Sequence, residues 1–297
     1  MPSLLASATV VAALLAAPAA PAQDPTSVKG VEAEDLQSVE PDPARRPSTS
    51  DDRAVDPVEP DFVVVNMPTQ ARMPRGGWAF RVTHRFSRPL GEGSLGDLAK
   101  DLFGFDSGGL IGLELRYGVA RATQVGLHRT SDRTVQFFGQ RDVRRAEDEP
   151  FGLAAFAAVD GLDNFTEDYS PGAGLIVSRR LGERGGAYAM PALVAHLVTP
   201  GLGGDSEFTT ALVVGLGVRF RFSENGALLF ETTPRLNAPD SDAGFRHPVS
   251  FGIERTLGGH AFQVNISNSF GTTLGQRARG GASRGWYIGF NIARKFY

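Results

Sequence analysis

The chain has 297 residues, no Cys and a formal net charge of −3. Without Cys it forms no disulfide, no thiolate metal site and no lipid attachment through a thiol. A mean hydropathy of −0.14, with no apolar run near 20 residues beyond the N-terminus, argues against helical membrane spans. It leaves room for a transmembrane β-barrel, whose strands are only half apolar.

Leu4 to Ala17 is built of apolar and small residues, and Pro18 to Ala22 supplies a small-x-small cleavage site. Residues 1–22 therefore read as a secretory signal peptide cleaved near Ala22, although no Lys or Arg precedes the apolar stretch. Residues 23–61 hold eleven acids, four bases and six prolines with no aromatic residue. Such a segment buries too little apolar surface to offset its ordering entropy, so a disordered acidic linker is expected. It is also a candidate docking tail for a periplasmic partner. The remainder, 62–297, carries 26 bases against 22 acids, a net of +4 that the whole-chain value hides.

Phe62–Met73 is apolar at first, then irregular, and reads as a lead-in packed at the periplasmic mouth. Period-two alternation then begins. Gly77–Phe86 sets Trp78, Phe80, Val82 and Phe86 against Ala79, Arg81, Thr83 and Arg85. Leu110–Gly118 sets Ile111, Leu113, Leu115 and Tyr117 against Glu114 and Arg116. Thr123–Thr130, Thr134–Arg141, Phe151–Val159, Gly172–Leu181 and Ala187–Leu197 follow. Glu207–Phe222 alternates most cleanly, with Phe208, Leu212, Leu216 and Phe220 opposite Thr209, Gly215, Arg219 and Arg221. Ala227–Leu236, His247–Thr256, His260–Ser269 and Gly285–Tyr297 complete the set.

These segments predict an all-β fold, an antiparallel transmembrane β-barrel of about 12 strands covering 62–297. Short gaps near Ala120, Glu183, Glu224 and Gly258 suit periplasmic turns, and the longer gaps between them suit extracellular loops. The short turn at Ser131–Arg133 and the long gap Asp142–Pro150 break that pattern, so the count is least secure there. A soluble sandwich or lipocalin-like barrel alternates too, with its apolar face inward. Gly, Arg, Glu and Gln opposite the apolar stripes favour the membrane barrel. So do aromatics near strand ends: Trp78, Phe86, Phe208, Phe222, Trp286 and Phe296.

The phrases HRF at His84–Phe86, LFGFDSGGLIGLELRYG at Leu102–Gly118 and VGLHRTSDRT at Val125–Thr134 occur in order. GGHAFQVNISNSFG at Gly258–Gly271 and GWYIGFNIARKF at Gly285–Phe296 follow. In combination they resemble an uncharacterised family of bacterial outer-membrane β-barrels, the domain of unknown function numbered 5777, over roughly 62–297. The resemblance implies an outer-membrane barrel embedded in lipid and inserted by the barrel-assembly machinery. Phe296 and Tyr297 resemble the C-terminal insertion signal that this machinery reads. No catalytic residue is implied.

Little chemistry is legible. Gly91–Gly96 fits G-x-G-x-x-G, but the helical run after it, Asp97–Phe103, is too short for a dinucleotide-binding unit. The five histidines, His84, His128, His196, His247 and His260, show no metal-ligand spacing. Ser250 and His260 on adjacent strands are the one candidate pair for a barrel lipase. No catalytic residue, cofactor, metal or nucleic-acid partner is expected. The polar faces place Arg81, Arg85, Glu114, Arg116, Arg219, Arg221, Glu254, Gln263, Asn265 and Asn291 toward the lumen. They would line a narrow, mildly cationic passive channel for small polar or anionic solutes. The alternative is a closed structural or assembly barrel filled by its own Arg–Glu network, with a partner-binding tail.

Overall fold

The apolar stripes face outward. In the computed structural model, which describes residues 56, 58–105, 107–145, 151–200, 206–238, 245–281 and 285–297, Leu115 is 47% exposed while its neighbours Glu114 and Arg116 are 4% and 3% exposed. The same inversion holds around the molecule, with Phe80, Leu127, Phe137, Leu175, Leu193, Leu216, Phe230, Phe251 and Phe262 all on the outside. Water does not solvate a continuous belt of this kind, and lipid does. The soluble alternatives, which need that face inside, are excluded. The expected signal peptide 1–22 and most of the expected linker 23–61 lie outside the described residues.

The belt belongs to twelve strands: β1 Trp78–Phe86, β2 Gly109–Ala120, β3 Thr123–Thr130, β4 Val135–Arg144, β5 Gly152–Gly161 and β6 Tyr169–Arg180, then β7 Gly185–Pro200, β8 Ser206–Arg221, β9 Gly226–Thr232, β10 Val249–Leu257, β11 His260–Ser267 and β12 Tyr287–Phe296. Each pairs antiparallel with its sequence neighbours, and β1 also pairs with β12, so the barrel closes without a free edge. Closure sets Trp78 opposite Phe296, and their rings stack at 3.9 Å.

Connections at one end, the turn end, are mostly tight. Gly258 and Gly259 both take positive φ (52° and 80°) to join β10 and β11, as a two-residue hairpin turn requires. The other end, the loop end, carries 87–108, 233–248 and 268–286. The two irregularities expected from the sequence are real: β3 and β4 join by a short turn at the loop end, and 145–151 is the long link at the turn end. Among the end aromatics, Phe86 departs from expectation. It is buried, with Phe105 of the loop at 4.5 Å.

Two short helices lie in loops. Helix α1, Leu95–Lys100, is capped by Ser94 with Asp97 closing the capping box and is followed by a 3-10 turn at Leu102–Gly104. Helix α2, Leu274–Arg279, is capped by Thr273 with Gln276 in the reciprocal role. Helix α1 is largely exposed, whereas Leu274 to Ala278 of α2 are buried. No helix among the described residues is long and apolar enough to cross a membrane.

The lead-in segment is the main departure from the sequence reading. Phe62–Thr69 does not stop at the mouth but runs up the interior as a hairpin. The Val64 amide donates to the Met67 carbonyl (2.9 Å) and the Thr69 amide to the Phe62 carbonyl (2.9 Å). Val58 and Asp61, which composition groups with the linker, are also buried.

Candidate functional site

The interior of the barrel is the site, and it has two unlike halves. On β5 to β8 the inward side chains are mostly apolar, among them Ala154, Phe156, Ile176, Met190, Ala192, Val194, Ala211 and Val213, with Asp160, Ser170, Ser178 and Arg219 the polar exceptions. On β1 to β3 and β10 to β12 they are polar or charged: Arg81, Arg85, Glu114, Arg116, Gln124, His128, Glu254, Gln263, Asn265 and Asn291. The hairpin answers both. Its Val64, Val65 and Met67 join the apolar cluster, and its backbone is bonded by polar side chains from around the wall. Arg219 donates to the Val63 carbonyl (2.9 Å), Gln263 to that of Val64 (2.8 Å) and Asn291 to that of Val65 (2.8 Å). Lower down, Gln140 and Gln124 donate to the carbonyls of Thr69 (3.0 Å) and Ala71 (2.9 Å).

At the hairpin tip three successive amides, those of Val65, Asn66 and Met67, donate to one oxygen of Glu231, at 2.8, 2.8 and 2.9 Å. This is a backbone nest closed on a carboxylate from the wall. Arg85 steadies the same tip by donating to the Asn66 side chain (2.7 Å) and to that of Asn291 (2.9 Å). The wall makes space for the tip at Gly215 and Gly217. A Cβ on either would meet Met67, at 2.6 and 2.8 Å, and one on Gly217 would also meet Val64.

From the loop end, α2 closes the remaining opening. Asp160 of β5 accepts from the Thr273 hydroxyl and from the Gly275 amide (2.9 Å), and Gln136 donates to its second oxygen (2.6 Å). Arg277 comes within 4.0 Å of Glu231, so the nest acid also faces the second insert. Hairpin and α2 both pack inside the bore, where Val64, Val65, Met67, Leu274 and Ala278 share one apolar cluster with the wall.

The family described as "Membrane bound beta barrel domain (DUF5777)" matches residues 61–296. The chain belongs to this family. The match opens at buried Asp61, so it takes in the hairpin as well as the wall of the DUF5777 barrel. No curated protein gives a significant match. Solved structures similar to it include the NanC porin, at 10% identity and a TM-score of 0.49 over 74% of this chain and 99% of that one. Another is the COG4313 outer membrane channel from Pseudomonas putida F1, at 11% and 0.49 over 76% and 97%. At these identities the likeness concerns architecture alone.

The residues expected to face the lumen are placed as follows. Arg81, Arg85, Glu114, Arg116, Arg219, Glu254, Gln263, Asn265 and Asn291 are buried inside the DUF5777 barrel. There they bond the hairpin or one another: Glu114 pairs with both Arg81 and Arg116, and Arg219 with Glu254 at 3.0 Å. Arg221 is different. It sits at the last position of β8, where it donates to the carbonyls of Glu183 and Glu224 (3.0 Å each) in two turns. The strand ends before its side chain can enter the bore. Phe296 is the last residue of β12, and Tyr297 follows it at the turn end.

Interior groups that sequence reasoning missed are Glu231, Asp142, Asp160 and Arg277. The lipase pair does not assemble. The β10–β11 register sets Ser250 opposite Ser267 and His260 opposite Leu257, at opposite ends of the strands. The Ser250 hydroxyl is spent on Ser267 (2.9 Å). Gly91 and Gly93 belong to the exposed approach to α1 and Gly96 to its first turn, and no group of three metal-ligating side chains occurs among the described residues.

Proposed function

We propose that this DUF5777 barrel is an outer-membrane channel for small polar solutes, passive and cofactor-free, described here in its closed conformation. The turns and both ends of the barrel chain would face the periplasm and the long loops the exterior. Residues 1–22 would direct export, and Phe296 and Tyr297 would be read during insertion into lipid by the barrel-assembly machinery. The observation that carries this reading is what fills the bore. The hairpin enters it from the turn end and α2 from the loop end, both packed against the wall's own side chains. With both withdrawn, one side of the lumen would be lined by water-compatible groups. The interior acids argue for weak ion preference: Asp142, Asp160 and Glu231 offset the arginines on which an anionic preference would rest.

A second reading, a permanently closed structural barrel, is favoured by the apolar half. Val64, Val65 and Met67 are buried, and each such side chain contributes about 1.5–3 kcal/mol. Withdrawal therefore needs help, and residues 23–61, which lead directly into the hairpin, would be the handle for a periplasmic partner.

Planar-bilayer recording decides between the two. The refolded chain should be mostly silent, while Gly215→Val with Gly217→Val, which crowd out Met67 and Val64, combined with Thr273→Val, which frees α2 from Asp160, should give stable conductance steps. Silence from an inserted, folded triple variant would sink the channel and leave the structural barrel.

A further inference from the structure

A small cavity, lined in part by charged side chains, lies where the hairpin, the wall and α2 meet. The charged side chains lining it are three arginines, Arg81, Arg116 and Arg277, and one carboxylate, Glu114. All four are at least nine-tenths buried, with side-chain exposures of 3–5%. Glu114 gives one oxygen to Arg81 and the other to Arg116. The carboxylate paired with Arg277 is Glu231, at the long distance of 4.0 Å. Donors are left over on every arginine: Nε and Nη1 of Arg81, Nη1 of Arg116 and Nε of Arg277 have no partner.

Buried guanidinium N–H groups without acceptors are costly, the more so because they carry charge. The space offers about 10 Å³ to the centre of a water-sized body, about what a single small guest needs. A compact guest suits it better than a carboxylate or a phosphate. A water can accept from two of these donors and must place two protons of its own among Glu114, Asn66, Gln136 and Thr272. A monatomic anion brings no proton and can accept from all four unpartnered donors.

We infer that this cavity is a binding site for a single monatomic anion of the halide class. It joins β1, β2 and the loop helix through Arg81, Arg116 and Arg277. Bound there, the anion fastens α2 to the wall beside the hairpin. This site does not depend on whether the lumen ever opens.

The direct test is diffraction from crystals of the full chain soaked in bromide and measured at the bromine edge. An anomalous peak within hydrogen-bonding reach of the three arginines is expected; density there without anomalous signal means water and overturns the site. In solution, the thermal midpoint of the refolded chain in detergent should rise by about 2–4 °C when gluconate is exchanged for chloride at constant ionic strength. Arg277→Gln should abolish that rise while keeping the helix cap. A midpoint that follows ionic strength alone, whatever the anion, also overturns it. If the variant does not fold, the bromide experiment on the unaltered chain still decides.

Discussion

Glu231 concentrates more of the closure than any other side chain described here, since one of its oxygens serves three amides that have no other acceptor. Replacing it by Ala leaves those amides buried and unpaired, at a cost of at least about 2 kcal/mol. The hairpin tip should then exchange amide hydrogens much faster, with the wall strands unchanged. Glu59, at the root of the same segment, adds a pH dependence. Burial of its carboxyl, and next the charge of Asp56, push its pKa up to about 7. A carboxyl raised in the folded state stabilises fully below its unfolded value, and that stability is lost as pH rises through about 7. Protease access to the root should therefore increase between pH 6 and pH 8, and Glu59→Gln should flatten the change. Arg81, Glu114 and Arg219 were legible in the sequence because strict alternation assigns each to the face opposite an apolar stripe. Asp142 and Asp160 were not, since each lies just past a predicted strand end, where alternation stops being informative. Missing them made the wall look cationic.

Among the elements, the strands were readable and the two inserts were not. Alternation over eight or more residues identifies a strand wherever it is, but the FVVVN run of the hairpin has no period and is too short to reveal what covers it. Its burial depends on Gly215 and Gly217, some 150 residues away in sequence and ordinary in a strand. For α2 a signal existed: Thr273 and Gln276 have capping-box spacing, in a stretch read only as loop. The cap is bonded twice, because Thr273 accepts from the Gln276 amide at 3.2 Å and donates to Asp160. Thr273→Val removes both bonds at nearly constant shape. It should cost about 1 kcal/mol or more and raise hydrogen exchange across 272–279 selectively.

At the scale of the whole molecule the buried charges balance. Six arginines (Arg81, Arg85, Arg116, Arg219, Arg235, Arg277) stand with six carboxylates (Asp61, Glu114, Asp142, Asp160, Glu231, Glu254) among the described residues. Closure of the ring rests on the β1–β12 seam, where Trp78 stacks on Phe296. Such an aromatic pair is worth about 0.5–1.5 kcal/mol beyond its area, so Trp78→Ala and Phe296→Ala should lower stability in detergent by similar amounts. In cells the two should part, with Phe296→Ala alone reducing insertion yield if the terminal aromatic is read by the assembly machinery. Equal yields would remove that role.

The hairpin enters and leaves by the same end of the barrel, and this bears on the order in which the protein can be made. Its partners Arg219, Glu231, Gln263 and Asn291 follow it by about 155 to 230 residues. They are synthesised well after it, so the hairpin, made before every strand of the barrel, is the last to find its place. Because both its arms return to one mouth, it needs no threading: the ring can close first and receive it afterwards, as a glove receives a finger. Until then Phe62–Met67 must wait without these partners, its apolar side chains uncovered.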